Sequence, residues 1–137
     1  MKIKLDRGAF VPVRAHDTDA GADLRSPIDV LVPARGSQVI DTGVHIQLPH
    51  GYVGMLKSKS GLNVKYGITS EGVIDEGYTG QIKVKLYNHS DYPYAIERGD
   101  KVTQLVILPC AYVGFELADD LEDSERGNDG FGSTGKQ

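Results

Sequence analysis

Gly72-Val73-Ile74-Asp75-Glu76-Gly77-Tyr78-Thr79-Gly80-Gln81-Ile82-Lys83-Val84-Lys85-Leu86-Tyr87-Asn88 is the stretch on which the fold turns. From Gln81 onward, Ile82, Val84 and Leu86 fall on one face while Gln81, Lys83, Lys85 and Tyr87 fall on the other, the period of two that marks a half-buried strand. Glycines flank the residues before it, so the segment predicts a hairpin-like unit with a wide bend. Asp75 directly follows the apolar pair Val73-Ile74. A carboxylate partly desolvated there gains proton affinity and suits general-base work. Tyr78 adds a flat apolar surface nearby. Taken alone, Asp-Glu-Gly is equally ordinary turn chemistry.

On both sides of this unit, short strand-like runs alternate with turn residues. Lys2 to Leu5 and Phe10 to Val13 read as strands, the second at an edge because of Pro12. Ile28 to Val32, Gln38 to Thr42, Val44 to Leu48 and Tyr52 to Lys57 follow, then Tyr92 to Glu97, Lys101 to Pro109 and Tyr112 to Leu117. Lys101 to Pro109 is the most apolar and is expected in the core, where Gln104 needs a hydrogen-bond partner. Ser58 to Gly67 breaks the pattern and predicts one short helix with Ser58 or Ser60 as N-cap and Gly67 as stop; such a start, with hydroxyls and lysines beside free N–H groups, also suits phosphate. Ala15 to Ser26 reads as a solvated polar loop. Its Asp17, Asp19 and Asp23 lack the closing Glu of a calcium loop. Strands at this spacing predict an all-β fold, an antiparallel sandwich or barrel.

With 137 residues the chain has the size of one domain, and 17 glycines with six prolines suit many short elements. A net charge of −4 argues against a nucleic-acid surface. Cys110 is the only cysteine, so no intrachain disulfide forms. The N-terminal residues lack the apolar run of a signal peptide and no segment reaches membrane-spanning length, from which a cytoplasmic protein is expected. His16, His45, His50 and His89 are scattered without zinc-site spacing.

From Ala118 the chain turns acidic, then ends in Arg126-Gly127-Asn128-Asp129-Gly130-Phe131-Gly132-Ser133-Thr134-Gly135-Lys136-Gln137. The composition predicts a flexible arm over 118–137 attached to a β domain over 1–117. Its glycines, hydroxyls and guanidinium are parts from which a phosphate-binding lid can be made, with Phe131 free to cover a base.

Five segments in order resemble the motifs of the homotrimeric deoxyuridine triphosphatases (dUTPases): Asp19 to Leu24, Ser58 to Leu62, Gly72 to Tyr78, Gly99 to Leu105 and Arg126 to Gly135. The likeness covers nearly the whole chain. It implies a jelly-roll-like β-sandwich with one short helix, assembled as a homotrimer whose sites draw on more than one subunit. It also implies hydrolysis of dUTP to dUMP and pyrophosphate, which keeps uracil out of DNA and supplies dUMP for thymidylate synthesis. Asp75 matches the base that orients water for in-line attack on the α-phosphorus. Tyr78 matches the residue under the deoxyribose. The Gly72, Val73, Ile74 to Lys83 hairpin would pair with uracil's edge. Lys59, Ser60, Gly61 and Gln104 would hold phosphates, as would Arg126, Gly132, Ser133 and Thr134, with Phe131 over the base. Mg2+ would ride on the triphosphate, with Asp23 a water-mediated partner.

Two departures from the motifs stand out. Lys59 replaces the usual arginine, turning a bidentate fork into a point charge. Asp129 replaces a glycine and adds negative charge to the arm. The rival readings are a dCTP deaminase of the same superfamily and a nucleotide-gated binding protein on the same fold.

Overall fold

The computed structural model describes residues 1–124 and Gly127. Ten strands and one helix follow one another as β1 (Lys2–Leu5), β2 (Gly21–Arg25), β3 (Val30–Val32), β4 (Ser37–Asp41), β5 (Val44–Gln47), β6 (Tyr52–Lys57), α1 (Ser60–Tyr66), β7 (Ile68–Ile74), β8 (Lys83–Asn88), β9 (Tyr94–Ile96) and β10 (Lys101–Pro109). Six strands form one sheet in the order β2-β10-β6-β7-β8-β4, and β1-β5 and β3-β9 form two smaller ladders. Every pairing is antiparallel, as the jelly-roll-like all-β reading requires.

The alternation read in the sequence is what builds the core. On β8, Val84 and Leu86 are fully buried while Lys83, Lys85 and Tyr87 face solvent. Leu24, Ile40, Leu56, Ile68, Ile74, Val102 and Leu105 from the other strands, and Ile82 just before β8, join them in one apolar cluster. Asn88 ends β8 as a buried amide, and its demands are met: Nδ2 donates to the carbonyls of Val32 and Tyr92, and Oδ1 accepts from Ser90. A buried amide so satisfied fixes the turn into β9.

β7 changes partners midway. Its first residues pair with β8, Ile68 with Asn88, Thr69 with Tyr87 and Ser70 with Leu86; its later residues pair with β6, from Glu71 with Lys57 to Ile74 with Gly54. Beyond Ser70 the two strands part, while β8 stays paired with β4 along its other edge from Tyr87 to Lys83. The parting point is fixed by hydroxyls. Ser58 Oγ donates to the Ser70 carbonyl at 3.0 Å and accepts from the Ser70 N–H at 2.8 Å. Ser70 Oγ meets Thr103 Oγ1 at 2.6 Å, and Thr103 donates onward to the Lys57 carbonyl.

Four expectations change. Phe10 to Val13 makes only an isolated bridge, Val13 to Asp23, in place of a strand. The loop expected over Ala15 to Ser26 contains β2, with Asp23 buried in it. The helix is capped by Lys59 with no side-chain cap bond, because the Ser58 hydroxyl is engaged by Ser70; Gly67 ends it in the left-handed conformation at φ 66°, as predicted. Tyr112 to Leu117 is not a strand, since no neighbouring strand among the described residues accepts it, and its apolar side chains are exposed. No helix among the described residues is long and apolar enough to cross a membrane.

Candidate active site

The sequence-predicted residues gather in two places. At the first, β2, β10 and the start of α1 converge on Asp23. The register sets Gln104 of β10 between Asp23 of β2 and Lys57 of β6. Asp23 is 5% exposed, and its two oxygens take one ammonium each, Lys59 at 2.5 Å and Lys101 at 2.7 Å. Burial opposes ionisation, but hydrogen bonds from Lys101 and Lys59 together outweigh it and hold the carboxyl below the ordinary aspartate range. Lys101 lies inside a recognised motif, yet sequence reasoning gave it no role. Only the ladder shows that its alternating position on β10 faces Asp23.

Gln104 is half-buried, so the fully buried setting expected for it is not met, and its amide makes no side-chain hydrogen bond among the described residues. Its side chain lies over Gly21, where a Cβ would come within 2.9 Å of it. Ser60 and Gly61 are exposed in the first turn of α1, beside this cluster.

The second place is the bend between β7 and β8. Gly72, Val73 and Ile74 finish β7 and Lys83 begins β8, where it faces Asp41 at 3.4 Å. Among the described residues no ladder pair joins Gly72–Ile74 to Lys83–Lys85, so their facing backbone edges line an open slit. A Cβ on Gly72 would press on Leu56, so that close approach to β6 favours glycine. Tyr78 folds across the bend and donates its hydroxyl to the Gln81 carbonyl at 2.9 Å. Its ring covers Gly80, where a Cβ would lie 2.5 Å from it.

Asp75 stands exposed at the mouth of the slit. The desolvation expected from Val73-Ile74 is not supplied within the chain. Strand alternation sends Ile74 into the core and leaves Val73 and Asp75 facing out. The bend is gripped by side chains the sequence did not single out. His45 ring nitrogens lie 2.9 Å from the Thr79 carbonyl and 3.0 Å from Asp6. Glu76 accepts from His50, the Gly51 N–H and Tyr112. A signal for these contacts was out of reach, since the partners are 25 to 36 residues away in the chain.

The two places do not meet. Asp75 follows Ile74 at the Gly54 end of the β6–β7 pair, while Asp23 lies level with Lys57, four rungs along and three strands across. That is about 20 Å at ~3.3 Å per residue and ~4.8 Å per strand. A cleft of about 460 Å³ between β1 and β5 touches the bend only at Thr79. Arg126, Phe131, Gly132, Ser133 and Thr134 lie outside the described residues.

No group of three or more His, Cys, Asp or Glu forms a metal cage among the described residues. Asp23 accepts one ammonium per oxygen, which leaves each oxygen a lone pair for a water of a cation carried by a ligand. Asp23 alone, with an ammonium on each oxygen, offers no site for a bare cation.

A family model described as dUTPase matches residues 8–135. The deoxyuridine 5'-triphosphate nucleotidohydrolase of Gloeothece citriformis is 41% identical over 135 residues, covering 96% of this chain and 93% of that protein. The dUTPase of Staphylococcus bacteriophage 80alpha, solved with dUPNHPP, superposes with a TM-score of 0.91 at 34% identity and covers 98% of this chain and 97% of that one. A mutant dUTPase from phage phi11 of S. aureus, whose structure is described as revealing the coordination of a structural Mg(II) ion, gives a TM-score of 0.82 at 30% identity over 89% of this chain and 98% of that one. With its motifs, its strand order and this breadth of likeness, the chain belongs to the dUTPase family.

Proposed function

We propose that the chain hydrolyses dUTP to dUMP and pyrophosphate in a site shared between copies of itself, with Asp75 as general base. The observation that supports this reading best is the slit between β7 and β8, with Asp75 and Tyr78 at its mouth. Backbone N–H and C=O groups held on two strands can pair with uracil's edge. A cytosine presents the wrong donors there, and a site of fixed partners discriminates strongly because a wrong ligand leaves buried groups unpaired. Tyr78 lies flat over the bend and packs under the deoxyribose, leaving no room for a 2'-hydroxyl.

Asp75 accepts a proton from a water whose oxygen attacks the α-phosphorus in line. The bond from that phosphorus to the bridging oxygen breaks and pyrophosphate departs. Lys59, Ser60, Gly61 and Gln104 bind the phosphates, and the Arg126, Phe131, Gly132, Ser133 and Thr134 segment closes over base and phosphates. Lys101 keeps Asp23 ionised when Lys59 turns to a phosphate. Magnesium carried on the triphosphate would supply charge neutralisation there, and Asp23 would hold one of its waters. Positioning and charge neutralisation account for most of the catalysis.

About 20 Å between the two places is beyond the reach of one triphosphate. A second copy must bring its Asp75 end to the Asp23 end of the first. The exposed apolar side chains of Tyr112, Val113, Phe115, Leu117 and Leu121 give such copies surface to cover. The homotrimer of the family is the assembly we expect, in the cytoplasm.

The test is pyrophosphate release with magnesium from dUTP, dCTP, dTTP and UTP, for wild type and Asp75→Asn, beside the mass of the assembly in solution. Turnover of dUTP alone, lost in the variant, is expected. Binding of dUTP without hydrolysis would favour the nucleotide-gated binding protein, ammonia from dCTP the deaminase, and an active monomer would overturn the shared site.

A further inference from the structure

Glu76 adjoins Asp75, and its carboxylate is the most heavily bonded among the described residues of the bend. His50 Nδ1 donates to Oε1 at 2.9 Å, and the Gly51 N–H and the Tyr112 hydroxyl donate to Oε2 at 2.9 and 2.5 Å. These donors come from two other parts of the chain. His50 and Gly51 form the turn between β5 and β6, and Tyr112 sits three residues past the end of β10, where the chain sets off toward its C-terminal arm. Gly51 ties the two together, because its carbonyl also accepts the Cys110 N–H at 2.8 Å. The His50 and Tyr112 rings pack with centroids 5.9 Å apart.

We propose that Glu76 is a positioning residue for Asp75, anchoring the catalytic bend to the β5–β6 turn and to Tyr112, so that one carboxylate sets both where the base stands and where the arm departs. This rests on Asp75 being the base. An aspartate has one methylene, so its carboxylate goes where the backbone puts it, and Asp75 is exposed with no wall of its own chain to hold it. The neighbouring peptide is therefore the means of control, and Glu76 immobilises it. The hydroxyl of Tyr112, the Gly51 N–H and His50 hold Glu76 down to about 2, so it keeps its charge and its acceptor role wherever the enzyme works. The carboxylate in turn pushes the Tyr112 phenol up to about 12, which keeps its proton available to donate. Two adjacent carboxylates thus divide the work: Asp75 takes the proton and Glu76 takes none.

The experiment measures kcat and KM for dUTP, melting temperature and amide hydrogen exchange over 75–80 in full-length wild type, Tyr112→Phe, Glu76→Gln, the double variant and Asp75→Asn. Tyr112→Phe removes one hydroxyl without disturbing the ring, and should lower kcat about fivefold with KM changed less than about twofold; Glu76→Gln should lower kcat about twentyfold. The double variant should match Glu76→Gln alone, because residues acting as one unit are not additive. Exchange over the bend should rise in all three. Values of kcat within about twofold of wild type for both single variants, or fully additive losses, would overturn the proposal. Failure of wild type to turn over dUTP would defeat the catalytic reading, while unchanged exchange in Glu76→Gln would defeat the anchor whatever the activity.

Discussion

At one end of the β6–β7 pair, Asp23 is almost wholly buried between two lysines; at the other, Asp75 stands in the open on a bend held by its neighbours. The first region is built on charge. Its one carboxylate is flanked by two ammonium groups, which leaves a positive charge in excess inside the chain before any ligand arrives. The second is built on shape. Its Asp75 carboxylate carries no ion pair among the described residues, and its surroundings, Tyr78 over Gly80, Thr79 on His45 and Glu76 on three donors, fix backbone and leave that carboxylate free. A single chain assembles the lysine-flanked Asp23 cluster by itself, whereas, on the function proposed above, Asp75 needs a surface from another copy.

Asp75→Asn gives the sharpest break between the two regions. It should cost about a thousandfold or more in turnover, as loss of a general base does. Melting temperature and affinity for a non-hydrolysable dUTP analogue should stay near wild type. A large fall in stability would show that the bend is not independent of its carboxylate.

Asp23→Ala should do the reverse. It leaves Lys59 and Lys101 facing each other without a counterion, and removing one partner of a buried ion group costs about 3 kcal/mol of stability. Chemical denaturation reads this directly. An unchanged midpoint would mean that the two ammonium groups find water easily and that the platform is not prebuilt.

Gly80→Ala probes shape without charge. The new methyl would meet the Tyr78 ring at 2.5 Å, so the ring must leave the bend. KM for dUTP should rise about fivefold, and discrimination against UTP should narrow because the surface proposed to exclude a 2'-hydroxyl has moved. Steady-state kinetics on both nucleotides would check it.

The smallest effect is in pH. The Asp6 hydrogen bond, then the Thr79 carbonyl, raise His45 above its ordinary 6.5. Both partners are acceptors, so only the imidazolium donates to the two at once. Its contribution is full below 6.5 and lost as pH rises through the higher folded value. Asp6 is lowered, chiefly by the His45 hydrogen bond, so its contribution is lost only as pH falls below the ordinary 3.8. A thermal melt series from about pH 6 to pH 9 should decline slightly, and His45→Gln should flatten it.

Much of this was legible in the sequence where one face of a strand meets the core. The alternation from Gln81 to Asn88 foretold β8, and the apolar run of Lys101 to Pro109 foretold β10. What misled was composition read without partners. Asp23 looked like a loop residue because its lysines come from positions 59 and 101. Tyr112 to Leu117 looked like a strand because its apolar residues suit one, yet a strand needs a neighbour and the described residues supply none. Ser58 looked like a helix cap, but a hydroxyl with two candidate partners takes the one that tertiary structure brings, here Ser70. Of the candidate site, the motif residues were legible and the side chains that hold them were not.

A slit in a sheet behaves like a crack, which lengthens or heals from its tip. Here the tip lies at Ser70, stitched by Ser58 on one side and Thr103 on the other. These bonds oppose both the running of the opening down to Ile68 and its zipping shut. On the proposed reading the gauge is set at the root and not by whatever enters, so a base wider by a methyl group should meet walls that resist it.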